Sequence, residues 1–233
     1  MADRDYKVFI VEGEAREPLI IDNISKVFFS HGNIKIITLP VGENIYMLWK
    51  KLKADDFSEV YLFFDYDMHQ TNLGKEDDAD AVKQMLESFN NETENGKLYI
   101  SYPMVEALRD YKSGICGDRA TCFVAIDGMK EYKNASAVRA VNPRFKEYDY
   151  EVWKDIIDVF AMRVSCLFGS ADTLEYVNYS EKISPYEVYI REENETQEEG
   201  VFVLSAFPEF LVDYFGQKLW RNSVSHKKNK RGQ

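Results

Sequence analysis

Two runs of β-forming residues that stop abruptly at carboxylates constrain this chain more than any other feature. In Lys7–Val11 and again in Val60–Phe64 the apolar residues run together and do not alternate, the pattern of strands buried on both faces of a sheet. The first run ends in Glu12-Gly13, and Pro18 stands where the first turn of a helix accepts it. The second ends in Asp65 and Asp67. Strand ends of an open parallel sheet face one crevice, so Glu12, Asp65 and Asp67 are expected to meet there although they lie far apart in the chain. Carboxylates that converge with no lysine among them repel one another unless a divalent cation sits between them.

The periodicity between and after these runs predicts the rest of the first half. Residues 16–29 carry Ile20, Ile24, Val27 and Phe28 at helical spacing, and Ile34–Leu39 reads as a strand closed by Pro40. Asn44–Lys53 reads as a short helix, and Glu76–Asn90 as a helix whose acidic start suits the helix dipole. A turn over Asn90–Gly96, a strand over Lys97–Ser101 and a helix opened by Pro103 complete a β-α-β-α-β-α-β-α order. Such alternation implies a parallel sheet with helices on both faces. From Gly114 to Gly128 the chain reads as a poorly defined connection. Beyond it, Tyr150–Phe168 is an amphipathic helix, Ser184-Pro185 with Glu187 is a capping box, Glu192–Gly200 reads as a polar loop, and Val201–Trp220 ends in another helix. The expected division is an α/β domain over 1–112, a mostly helical part over 113–225 that forms a cap or side wall, and a basic, disordered tail over 226–233.

Charge and composition narrow the function classes. Lysine and arginine number 29 against 40 aspartate and glutamate, a net charge of −11, which argues against a protein that coats nucleic acid by electrostatics alone. A nuclease stays open, because metal neutralises its acidic site. No apolar stretch reaches the ~18 residues of a membrane span and no signal-peptide core opens the chain, so a cytoplasmic location without a membrane is expected. Cys116, Cys122 and Cys166 then read as reduced thiols. Trp49, Trp153 and Trp220 fall on apolar faces and read as core.

Taken singly, each carboxylate has a plainer reading: a glutamate after a strand serves a helix N-terminus, and an Asp-x-Asp is often a solvated loop. At two strand ends of one sheet, though, the backbone and not solvent positions them. Three segments occur in order: Glu12-Gly-Glu-Ala-Arg-Glu-Pro18, Asp65-Tyr-Asp-Met-His69 and Ser101-Tyr-Pro-Met-Val-Glu106. They resemble the Toprim fold of topoisomerases, primases and overcoming-lysogenisation-defect nucleases, and more closely its RloB-like branch. The resemblance covers about the first 112 residues. Many Toprim proteins place a second acid where Arg16 stands here; Glu17 follows one residue later, as in the RloB-like pattern, which leaves Glu14 and Glu17 as alternatives for that acid. Pro103-Met-Val105 also departs from the polar-aromatic run of that branch.

The resemblance implies phosphodiester hydrolysis of DNA or RNA with Mg²⁺ or Mn²⁺. Its implied metal ligands are Glu12, Glu17, Asp65, Asp67 and Glu106, with Glu12 also catalytic. His69, Arg109 and Lys112 are candidate substrate contacts, with exposed polar surface as the alternative for each. It further implies an effector of bacterial anti-phage defence working beside an ABC-type ATPase; a homo-oligomer is compatible with these features. The alternatives are a non-catalytic, partner-binding subunit with a vestigial site, and a primase-like nucleotidyl transferase.

Overall fold

The structure is a computed structural model that describes residues 6–29, 33–39, 58–66, 75–111, 122–140, 142–170, 172–196 and 200–220. The expected helix at 44–53 and basic tail, together with Trp49, Asp67, His69, Lys112 and Cys116, lie outside the described residues.

The expected α/β class is what the chain adopts. Strands β1 (Tyr6–Val11), β2 (Asn33–Thr38), β3 (Glu59–Asp65), β4 (Asn90–Asn91) and β5 (Gly96–Ser101) form a five-stranded sheet in the order β2-β1-β3-β5-β4. All pairings are parallel except that of β4 with β5. Helix α1 (Glu17–Phe28) joins β1 to β2, and α2 (Lys75–Ser88) lies between β3 and β5. These crossovers leave β1 and β3 in opposite directions along the sheet, so right-handedness puts α1 and α2 on opposite faces. The C-terminal ends of β1 and β3 are therefore the topological switch point, where an open sheet leaves a crevice. Burial explains the strand sequences: Val8, Phe9, Ile10 and Val11 are fully buried, and Val60–Phe63 nearly so. The expected turn at 90–96 is a tight one: Asn91 Oδ1 accepts from the Thr93 backbone N–H and hydroxyl, and Gly96 takes a positive φ of 90°.

The second half contains α3 (Met129–Arg139), α4 (Tyr150–Leu167), α5 (Tyr176–Lys182), α6 (Pro185–Thr196), α7 (Ala206–Phe215) and α8 (Gln217–Trp220). It is more than a side wall. Helix α7 lies on the sheet face that carries Phe9, Tyr61, Phe63 and Tyr99: Phe207 stacks on Phe63 at 4.9 Å, and Phe210 meets Tyr61 edge-on at 4.8 Å. Phe29, just past α1, stacks on Phe210 at 6.5 Å, so α1 and α7 share that face. One hydrophobic cluster consequently runs from β1 to Trp220, across the boundary expected near residue 112. Trp153 is fully buried and Trp220 nearly so, as expected. Asn23 ties α1 to α4, accepting the Trp153 indole N–H at 2.7 Å and donating to the Tyr148 carbonyl at 2.8 Å.

Three expectations need correction. Pro103, which follows a cis peptide bond, opens no α-helix; Val105–Arg109 is a 3-10 turn. Every residue from Ser101 to Leu108 is buried, so the segment has no solvent face on which an amphipathic helix could rest. Within the connection at 114–128, the described part contains strand β6 (Phe123–Ala125), which pairs antiparallel with β7 (Gly200–Phe202). The polar loop expected from Glu192 starts as helix: α6 continues to Thr196, and the buried Glu192 carboxylate accepts the Phe202 backbone N–H at 3.0 Å. Acidic composition concealed a residue that stitches helix to strand. The capping box is present in half, with the Glu187 N–H donating to Ser184 Oγ at 3.3 Å. Cys122 is buried and Cys166 partly so, neither in a disulfide among the described residues. Among those residues, too, no helix is long and apolar enough to cross a membrane.

Candidate active site

Each candidate carboxylate is delivered by a different piece of backbone. Glu12 directly follows the last residue of β1 and is exposed at the mouth of the crevice. Asp65 is the last residue of β3, and its backbone N–H donates to Glu12 Oε2 at 3.3 Å, so the two strand ends touch. The chain then turns, with the Tyr66 N–H donating to the Ser101 carbonyl at 3.0 Å, which fixes the end of β3 against that of β5.

Glu17 opens α1, with Pro18 beside it in the first turn, and is buried. Its carboxylate folds back over Gly13, close enough that a Cβ on Gly13 would lie 2.3 Å from Glu17 Oε2. Gly13 therefore serves a close approach that any side chain would obstruct. Glu106 comes from the 3-10 turn and is 1% exposed. The same turn reaches Asp65, whose carboxylate accepts the Val105 backbone N–H. Arg163 steadies the far end of the turn, donating to the Asp110 carbonyl at 2.6 Å and the Val203 carbonyl at 3.2 Å.

The electrostatics report this convergence. The Asp65 carboxyl is pushed well above the usual carboxylate range, first by burial and then by the charges of Glu17, Glu12 and Glu106; the Val105 amide opposes the shift. Of the three acids that Asp65 feels, the strand-end pattern expected Glu12 beside it, while Glu17 and Glu106 were implied by the resemblance; Asp67 lies outside the described residues. The expected carboxylates were Glu12, Asp65 and Asp67 with no lysine among them; the structure adds an arginine at Glu106. Arg16 reaches across the site and pairs through Nη1 with Glu106 Oε1, ninety positions away in sequence. Sequence reasoning noticed Arg16 only as a departure from a pattern; its place four residues after Glu12, just ahead of the proline-started helix, was the available signal.

The donor chemistry, carboxylate oxygen throughout, fits a hard divalent cation. Even so, among the described residues no three His, Cys, Asp or Glu side chains are gathered closely enough to hold a metal ion, and Arg16 engages Glu106. Of the two alternatives for the second acid, Glu17 lies at the site beside Asp65, while Glu14 is exposed. Arg109 is turned to a different partner, its guanidinium lying over the Phe145 ring at 4.5 Å from the centroid. Asp67, His69 and Lys112 lie outside the described residues.

Comparison of the chain with protein-family models, with curated proteins and with solved structures finds no match.

Proposed function

We propose that this chain is a metal-dependent nuclease that hydrolyses phosphodiester bonds in DNA or RNA. The observation that carries the reading is the meeting of Glu12 and Asp65 at the switch point of the sheet, with Glu17 and Glu106 close enough to raise the proton affinity of Asp65. A bound Mg²⁺ or Mn²⁺ would supply Lewis acidity at the phosphoryl group and an acidified water. The resemblance implies Glu12, Glu17, Asp65, Asp67 and Glu106 as its ligands; among the described ones no three are gathered for it, so these side chains would have to close up to hold it. Glu12, which is exposed, would accept the proton of the attacking water. The backbone contact from Asp65 to Glu12 orients that carboxylate before substrate arrives.

The resemblance of the three acidic segments to Toprim nucleases of the RloB-like branch supports the same chemistry. It extends the proposal to a cytoplasmic effector of anti-phage defence acting with an ABC-type ATPase. One observation favours a second reading, the partner-binding subunit: Arg16 already neutralises Glu106, so the acids are partly compensated without metal.

The experiment is cleavage of labelled single-stranded DNA, duplex DNA and RNA by the full chain, with its gene neighbours co-expressed, in Mg²⁺, Mn²⁺ or chelator. Metal-dependent cleavage that Glu12→Gln abolishes supports the enzyme. Growth arrest that Glu12→Gln leaves intact, with no cleavage of any substrate, favours the partner-binding subunit.

A further inference from the structure

A small cavity lies behind the 3-10 turn. Ala107 and Tyr111 wall it on the side of the turn, Phe160 and Arg163 on the side of α4, and Val203 and Ser205 on the segment that leads into α7. Its volume is about 10 Å³, room for a single water. Most of the wall is apolar, but Ser205 and Arg163 bring polar atoms to it.

Ser205 immediately precedes α7 and is 5% exposed. A serine there ordinarily turns its hydroxyl back to accept an amide N–H of the first helical turn. Here the third helical residue is Pro208, which has no N–H to give, and the hydroxyl makes no cap hydrogen bond. The Ala206 N–H goes instead to Ser101 Oγ at 3.3 Å. Ser205 Oγ is thus buried with no protein partner. Arg163 is 6% exposed and donates to the carbonyls of Asp110 and Val203. The Asp110 carboxylate stands 3.7 Å away, too far for a good hydrogen bond. A guanidinium carries more N–H donors than these two bonds use, so Arg163 can serve a further acceptor.

We propose that this cavity is a binding site for one buried water, which accepts an N–H from Arg163 and is hydrogen-bonded to Ser205 Oγ. Left unbonded, both groups would carry the cost of burial without compensation. A hydroxyl both donates and accepts, and so does water. A neutral ligand suits the site better than an anion, because two carbonyls and a carboxylate already turn their negative ends toward Arg163. The water joins α4 to the start of α7, and through Arg163 it braces the Asp110 carbonyl at the end of the 3-10 turn. The site uses none of the crevice carboxylates and is independent of the nuclease reading.

The test is a crystal structure of the full chain, with a second crystal soaked in bromide. One ordered water should lie within about 3.2 Å of both Ser205 Oγ and an Arg163 nitrogen. No density there, in a map that shows other buried waters, overturns the site. An anomalous bromide peak there overturns water as its ligand. Ser205→Ala supplies a reading in solution. Loss of a hydroxyl bonded to a held water should lower the melting temperature by about 3 °C, the worth of one hydrogen bond in a chain of this length. Ser205 makes no cap hydrogen bond, so the fall does not report a lost cap. Loss of a hydroxyl that bonds nothing would instead relieve a burial cost. A melting temperature that holds or rises in Ser205→Ala therefore overturns the water.

Discussion

The molecule holds two groups of acids, and they are built on opposite principles. At the strand ends, Glu12, Glu17, Asp65 and Glu106 share a crevice whose mouth is open and whose cation, Arg16, is half in solvent. Between the sheet and the later helices, Glu192 and Glu209 are buried, and their charges add to the burial that raises the proton affinity of Tyr102. One oxygen of Glu192 accepts a backbone amide of β7. Asp213, one turn beyond Glu209, takes a salt bridge from Lys97 at 2.5 Å and the Tyr99 hydroxyl at 2.5 Å. The cation of the strand-end group is the more exposed, Arg16 at 40% against Lys97 at 20%. Accessibility of the compensating charge, more than the number of carboxylates, is the difference between the two groups.

The largest expected effect tests the enclosed group. Burial, with a smaller push from Asp213, raises the Glu209 carboxyl from 4.5 to about 8, while Lys97 opposes the rise. Folded protein therefore holds a proton that unfolded chain releases above its ordinary value. Stability from this group is fully present below about 4.5, falls as pH rises toward about 8, and levels off above it. At ~1.4 kcal/mol per unit the loss is about 5 kcal/mol. Glu209→Gln, neutral throughout, should remove that part of the slope in urea melts run from pH 5 to 8, and be the more stable protein at pH 8. Glu192, also raised by burial, contributes in the same direction and should remain as a residual slope. Parallel pH profiles for wild type and variant would show that Glu209 is ionised in the fold, and that the two groups do not differ as described.

The open group was the legible one. Strand ends declare themselves through runs such as Val60–Phe64 halted by Asp65, and parallel topology follows from the alternation of elements, so Glu12 and Asp65 could be placed together from sequence. Glu192 and Glu209 were invisible, because a glutamate in an acidic stretch or on a helix looks solvated until the tertiary structure buries it. Glu209 sits between Pro208 and Phe210, two residues that are themselves buried, which in hindsight marks a helix start, Ala206–Val212, with no exposed face. The 3-10 turn escaped for a related reason: Pro103 reads as a helix start, but only the tertiary setting shows that no side of Val105–Arg109 is left for water.

Glu12→Gln is the sharpest test of the open group. Glu12 is exposed, so loss of its charge should leave stability within about 0.5 kcal/mol. Cleavage, or growth arrest on co-expression with its gene neighbours, should fall at least ~100-fold, the low end for removing a proton-transfer group. Glu209→Gln should do the reverse, changing stability and sparing turnover at a pH where both proteins are folded. A stability loss of several kcal/mol in Glu12→Gln would make it a fastening residue like Glu192 and erase the distinction.

Metal should act on one group alone. Mn²⁺ at a hundredfold excess over its dissociation constant should stabilise wild type by ~2.7 kcal/mol, a rise in melting temperature on the order of 5 °C. Asp65→Ala together with Asp67→Ala should abolish that rise, and should itself steady the metal-free protein by relieving repulsion from Glu12 and Glu17. Glu209→Gln should keep the full metal response. Equal metal-induced shifts in wild type and the double variant would remove the metal from the crevice.

The smallest effect divides neighbours within the open group. Glu14 and Glu17 were equivalent in sequence, each an acid shortly after Glu12. In the fold Glu14 is exposed, whereas Glu17 is buried with its carboxylate folded over Gly13 and its charge felt by Asp65. Glu14→Gln should therefore leave Mn²⁺ affinity unchanged within about twofold, as expected of a screened surface charge. Glu17→Gln should weaken it about tenfold, the worth of one charge-assisted contact. Gly13→Ala supplies an independent check without touching an acid. Its new methyl group would meet the Glu17 carboxylate at 2.3 Å, and the flexible end of that side chain is what must move. The alanine variant should thus weaken Mn²⁺ binding as Glu17→Gln does, while Glu17→Gln and Gly13→Ala combined should be no weaker than either alone, because both act on one carboxylate. Additive losses would mean that Gly13 shapes the crevice by some route other than Glu17. A loss confined to Glu14→Gln would transfer the second ligand to the exposed residue, and burial would no longer tell the binding acids from the rest.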